Sequence, residues 1–128
     1  MILSLSDRSS EPLHKQISRQ VRAMILAGDL GIDQILPSIR GMAREQKVSV
    51  ITVQRAYEDL EGENLIHTRR GKGFFVSQIT DARRREMARV RFAKSFQPLL
   101  EIAVDEGLDF DQVRKLVETA IGEKRKGQ

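Results

Sequence analysis

The chain has 128 residues, enough for one compact domain and a small appendage. It contains no cysteine, which excludes disulfides and thiolate metal sites, and no apolar run approaches a membrane span or a signal-peptide core, so a cytoplasmic location is expected. A net charge of +4 and a sequence pI near 9.8 suit a polyanionic partner.

Met1 to Ser6 alternates weakly through Ile2, Leu3 and Leu5, which predicts a short strand, and Asp7 to Ser10 is turn-like. A helix starts near Pro12, with Leu13, Ile17, Val21, Met24 and Ile25 as its buried stripe and Gly28 as its stop. After a loop over Leu30 to Ile35, the segment Leu36 to Glu45 reads as a shorter amphipathic helix. Ser38 caps it, and Ile39, Met42 and Ala43 face inward. Gln46-Lys47-Val48 is the turn to the next helix, with Val48 plugging the corner.

That next helix is capped by Ser49, and Val53, Ala56, Tyr57 and Leu60 follow the i, i+3, i+4, i+7 spacing of one buried face. Its opposite side carries Val50, Ile51, Thr52, Gln54 and Arg55. Val50 and Ile51 have no core to enter there; thymine methyls in a major groove would give them one, and Gln54 can hydrogen-bond a base edge. Leu65 to Thr68 and Phe74 to Ser77 are strand-like runs around Arg69-Arg70-Gly71-Lys72-Gly73, a hairpin whose glycines permit positive φ and whose tip is cationic. Helix, short turn, capped helix and basic hairpin make a winged helix-turn-helix. Positive charge gathers at Arg40, Arg44, Lys47, Arg55 and the wing, while Glu58, Asp59, Glu61 and Glu63 occupy the far end of the capped helix. This polarity orients its N-terminal end toward phosphate; Arg44 reads as a solvated surface residue.

No chemistry accompanies this device. His14 and His67 are lone, without a Cys or carboxylate at ligand spacing, and there is no phosphate loop, nucleophile elbow or carboxylate pair. Neither a metal, a cofactor nor an enzymatic reaction is expected.

The character changes after Ser77, which divides the chain into a DNA-binding domain over residues 1–78 and a helical segment over 79–128. A long helix begins near Asp81 with Arg83-Arg84-Arg85, and Phe92, Phe96, Leu99 and Ala103 form a stripe suited to a partner helix. Pro98 predicts a kink or a break and restart, and Gly107 ends the element. Asp109 to Gln112 resembles a capping box, opening a second helix with Phe110, Val113, Leu116, Val117, Ala120 and Ile121 inward. Glu123 to Gln128 reads as a frayed basic tail. Two such helices enclose little core alone, so burial against a second copy is favoured over folding back on the same chain. The fold expected is mainly α, within the α+β class: a winged helix-turn-helix followed by a two-helix dimerisation segment.

Pro12-Leu13…Gln16-Ile17, Leu36-Pro37-Ser38-Ile39-Arg40, Ser49 to Tyr57, Leu65-Ile66 and Arg70-Gly71-Lys72-Gly73…Val76 together resemble the GntR family of bacterial transcription regulators, over roughly residues 11–77. The two-helix tail resembles the short YtrA-type branch of that family rather than the branches with large effector domains. The family commonly has Pro-Gly where Ile32-Asp33 stands, Gly at Asn64, a mild change because Asn tolerates the left-handed conformation, and in many members Arg at Val50.

The resemblance implies a homodimeric repressor of its own operon on a palindromic operator. Residue by residue it places Arg40 on phosphate or guanine, Val50, Ile51, Thr52 and Gln54 in the major groove, Ser38 and Ser49 on phosphates, and Arg70-Gly71 in the minor groove. With Lys47, Arg55, Arg69 and Lys72 from the charge pattern, these make the candidate DNA contacts. Phe92, Phe96, Leu99, Ala103, Phe110, Val113, Val117 and Ile121 make the candidate dimer interface. A small-molecule effector is compatible but unsupported. Two rivals stand beside this reading: a winged-helix protein–protein interaction module anchored by Val50 and Ile51, and a non-specific architectural DNA binder.

Overall fold

A computed structural model describes residues 1–128 of the chain. The elements are α1 (Leu13–Leu26), α2 (Ile39–Gln46), α3 (Val50–Gly62), β1 (Ile66–Arg69), β2 (Gly73–Val76), α4 (Asp81–Asp105) and α5 (Phe110–Lys126). Five helices and one small antiparallel ladder make a winged-helix fold, as the sequence pattern predicts. Two compact units divide the chain at Arg85/Glu86.

In the first unit, α3 packs against both α1 and α2. Ile17, Val21 and Ile25 of α1, Met42 of α2, and Val53, Ala56, Tyr57 and Leu60 of α3 are all at most 1% exposed. Leu65, Ile66 and Val76 close the core from the hairpin side, and Ile79 extends it past the hairpin. One charge enters this interior. Arg22 of α1 is almost buried, and its Nε donates to Glu63 Oε2 at 2.8 Å while its NH2 group donates to Glu63 Oε1. A guanidinium that deep needs a bidentate carboxylate to offset its lost hydration, and Glu63 supplies one directly after α3, tying α1 to the end of that helix.

The expected N-terminal strand is absent: residues 1–6 carry no strand assignment. The segment is extended but pairs with side chains rather than with backbone. Ser4 N–H donates to Gln20 Oε1 (2.8 Å) and Gln20 Nε2 donates back to Ser4 O (2.7 Å). Gln16 repeats this double bond on Ser6, at 2.9 and 2.8 Å, and Gln46 Nε2 reaches Met1 O at 2.8 Å. A primary amide presents one donor and one acceptor as a strand residue does, so two glutamines one helical turn apart imitate a strand edge.

The second unit differs from expectation at two points. α4 runs through Pro98 without a break. Proline removes one N–H and crowds the carbonyl four residues back, but Lys94 and Pro98 are exposed, so water can serve the freed carbonyl. The supposed frayed tail is helical to Lys126. Lys124, Arg125 and Lys126 fill the last turn of α5, where cations complement the negative end of the helix dipole. Between the helices, Gly107 takes φ +97° and Asp109 caps α5 in a complete capping box with Gln112.

Candidate nucleic-acid interface

The site is assembled around α3. Ser49 sits in the extended region, and its Oγ accepts from Thr52 N at 3.1 Å while meeting Thr52 Oγ1 at 2.8 Å, so the first turn is fixed from both sides. Once Val53, Ala56 and Tyr57 enter the core, helical geometry leaves Val50, Ile51 and Gln54 on the outer face. Val50 is 47% exposed and Ile51 54%, and Gln54 and Arg55 are exposed beside them. Thr52 is half-buried, held by its bond to Ser49. Gln54 Nε2 donates to Glu58 Oε1 at 3.2 Å, so the amide is steadied one turn along the same face.

α2 supplies the approach to this face. Ser38 Oγ accepts from Gly41 N at 3.0 Å; a side chain at Gly41 would bring its Cβ to 2.9 Å from that hydroxyl, so glycine there keeps the cap in place. Arg40 is exposed on the first turn of α2. Lys47 ends the helix in the left-handed conformation, φ 58° and ψ 45°, and swings the chain into α3 with its own side chain exposed. A non-glycine residue in this region is strained, and the bonds from Lys47 N and Val48 N to the last carbonyls of α2 hold it there.

Tyr57 joins these parts. Its hydroxyl donates to Pro37 O at 2.7 Å, just before the Ser38 cap, and its ring meets Phe74 of β2 edge-on at 4.9 Å. Burial, and to a smaller extent Glu45, pushes the hydroxyl well above its ordinary pKa, so it stays a neutral donor at any physiological pH. One side chain therefore fixes α3, the start of α2 and the wing relative to each other.

The wing pairs Ile66 with Val76, His67 with Phe75, Thr68 with Phe74 and Arg69 with Gly73. Gly71 (φ +73°) and Gly73 (φ +106°) make the turn, with Arg70 and Lys72 exposed at its tip. The loop before α2 adds a third edge: Asp33 N–H donates to Val76 O, Val76 N–H to Gln34 O and Leu36 N–H to Phe74 O, all within 2.9 Å. Here Asp33 holds φ +62°, in the position where the resemblance leads one to expect glycine, and Asn64 holds φ +61° as asparagine can. Arg69 does not join Arg70 and Lys72 at the tip. Its NH2 group donates to Asp33 Oδ1 at 2.8 Å and its guanidinium lies 4.4 Å from the Phe75 ring centre.

Ser38, Arg40, Lys47, Ser49, Val50, Ile51, Thr52, Gln54, Arg55, Arg70, Gly71 and Lys72 all belong to α2, α3, their flanks or the wing tip of this first unit. Sequence reading missed the partners: Asp33 for Arg69, Glu58 for Gln54 and Pro37 O for Tyr57. Only the Gln54–Glu58 pair left a local signal, the i, i+4 spacing. No cluster of three or more His, Asp or Glu side chains suited to a metal occurs, and no helix is long and apolar enough to cross a membrane.

Comparison with known proteins agrees with this geometry. The family model "Bacterial regulatory proteins, gntR family" matches residues 13–76, from the start of α1 to the end of β2. The chain is 35% identical over 77 residues to the HTH-type transcriptional repressor YtrA of Bacillus subtilis, covering 60% of this chain and 59% of that protein. It is likewise 35% identical over 82 residues to the HTH-type transcriptional regulator Rv1152 of Mycobacterium tuberculosis, covering 62% and 68%. Among solved structures, a GntR family transcriptional regulator from Listeria monocytogenes superposes with a TM-score of 0.74 at 28% identity, over 90% of this chain and 98% of that one. YtrA from Sulfolobus acidocaldarius, a GntR-family transcription factor, superposes with a TM-score of 0.60 at 30% identity, over 75% and 98%. The match spans about three fifths of the Bacillus subtilis relative's length, and the matched family segment is half of this chain. On these grounds the chain belongs to the GntR family of bacterial regulatory proteins.

Proposed function

We propose that this protein is a sequence-specific DNA-binding transcription regulator, acting as a homodimeric repressor of its own operon on a palindromic operator. The observation that carries the reading is the outer face of α3. Two β-branched apolar side chains and a primary amide are held exposed on the first turns of a rigid, capped helix, and the hairpin tip of the same unit bears exposed Arg70 and Lys72. Solvent-facing Val50 and Ile51 cost free energy in water, whereas against thymine methyls the same surfaces are buried, and Gln54 can satisfy adenine N6 and N7 together. Arg40, Lys47 and Arg55 would position the helix through phosphates, and Arg70 with Gly71 would follow the minor groove.

Dimerisation is supported by what the second unit leaves uncovered. No residue of α4 or α5 is fully buried; Phe92 is 68% exposed and Phe110 61%, with Leu99, Val117 and Ile121 also open. Phe96, Leu100, Phe110, Val113 and Val117 line a cleft of about 320 Å³ between the two helices. Isolated exposed apolar residues are ordinary, but a continuous row of them on two helices needs a cover. A second copy presenting the same row supplies one, with Ala103 allowing close approach. Two winged helices would then read half-sites roughly one turn of DNA apart.

Selection of genomic fragments by the purified protein, followed by footprinting, tests the whole reading. Enrichment of one palindromic sequence near the protein's own gene is the result expected. Uniform retention of all fragments would instead favour an architectural binder, and no retention a protein–protein module.

A further inference from the structure

The wing carries three cations in sequence but offers two of them outward, and the third has a partner that the DNA-binding reading does not use. Asp33 is pinned by its own backbone N–H on Val76 O at 2.8 Å, so its carboxylate projects from a fixed point beside β1 and β2. It does so with φ +62°, a conformation that glycine would adopt without strain. The carboxylate takes Arg69 at 2.8 Å, and the guanidinium also lies over the Phe75 ring, 4.4 Å from its centre. Both partners remain nearly half exposed, so a phosphate could in principle compete for the arginine.

We infer that Asp33 is an affinity-setting residue: its carboxylate withholds Arg69 from DNA phosphate, so the wing meets the backbone with Arg70 and Lys72 alone. The inference rests on the DNA-binding reading above. To reach a phosphate, Arg69 must leave a carboxylate and an aromatic face at once, and the carboxylate it leaves would then repel the same phosphate. Phosphates are the same on every sequence, so the withheld charge lowers attraction to bulk DNA without touching the bases read by α3. The position of Asp33 on a loop bonded to β2 lets a residue outside the helix-turn-helix govern the wing.

The test is the salt dependence of binding to a random duplex and to the selected operator, with melting temperature as a control on folding. Arg69→Gln should leave the salt slope unchanged, whereas Arg70→Ala should flatten it by about 0.9 for its lost contact. Asp33→Asn should steepen the slope by about 0.9, which makes the ratio of affinities at 50 and 200 mM salt roughly 3.5-fold larger. Asp33→Gly should do the same while relieving the backbone, which separates charge from strain. In an Arg69→Gln background Asp33→Asn should leave the slope unmoved. A slope lowered by Arg69→Gln alone, or raised by Asp33→Asn equally in both backgrounds, overturns the latch while the DNA reading stands. Wild-type protein that binds neither duplex overturns the DNA reading and the latch with it.

Discussion

The two units of this chain solve the burial of apolar side chains in opposite ways. In Met1–Arg85 the apolar faces of α1, α2, α3 and the hairpin close on one another, and nine large side chains reach less than 2% exposure. In Glu86–Gln128 the helical segments also carry large apolar side chains, yet none of them is fully buried. The first unit has a core that supports an exposed working surface; the second has a surface that would become a core only against another molecule. Exposure therefore means different things in each. On α3 two apolar residues stand out against a satisfied core, and that contrast is what supports the proposed reading surface. On α4 and α5 much of the stripe is exposed, with Phe96, Ala103 and Val113 only partly covered, and this supports the proposed assembly.

Breaking the second unit should have the largest effect. Phe96→Glu places a charge in the α4–α5 cleft and is expected to give monomers by light scattering and to abolish tight operator binding, with the winged-helix core intact by circular dichroism. A monomeric wild-type protein at micromolar concentration would contradict the assembly argument. Core truncation comes next. Leu60→Ala, at a fully buried site, should cost about 2–5 kcal/mol in chemical denaturation at any protein concentration. Leu99→Ala, at an exposed site, should cost little in the monomer and act by lowering the melting temperature only at concentrations where the wild type is dimeric. Equal, concentration-independent losses would erase the contrast between the units. The wing gives a smaller effect: Arg70→Ala should weaken operator and random DNA together, by roughly one unit or less of salt slope.

The legible parts of the sequence were those governed by local geometry. The Ser38, Ser49 and Asp109 caps, the buried faces of α1 and α3, and the hairpin turn at Gly71 and Gly73 each depend on residues within a few positions of one another, so periodicity and turn chemistry sufficed. What escaped depends on distant partners or on solvent. The N-terminal arm looks like a strand because it is extended, but only the positions of Gln16 and Gln20 on a folded α1 decide that side chains pair with it. Pro98 resembles a helix breaker until Lys94 and Pro98 prove exposed, so that solvent can reach the carbonyl the proline leaves unpaired. Arg69 reads as a third tip cation, and the carboxylate that takes it lies 36 positions away on a different segment. For the candidate site, the residue types and the helix face were readable, whereas the contacts that steady Gln54 and turn Arg69 aside required three dimensions.

The central claim, that the outer face of α3 reads bases while its inner face holds the fold, is tested most directly by comparing Gln54→Ala and Ile51→Ala for operator affinity, random-duplex affinity and melting temperature. Gln54→Ala should weaken operator binding by on the order of 1–3 kcal/mol and random binding far less, because non-specific affinity comes from phosphates. Ile51→Ala should relax a thymine preference at one position of each half-site and leave the melting temperature nearly unchanged. Destabilisation by several kcal/mol on Ile51→Ala would mean that Ile51 belongs to the core. Together with equal losses on operator and random DNA for Gln54→Ala, it would contradict the assignment of this face to base reading.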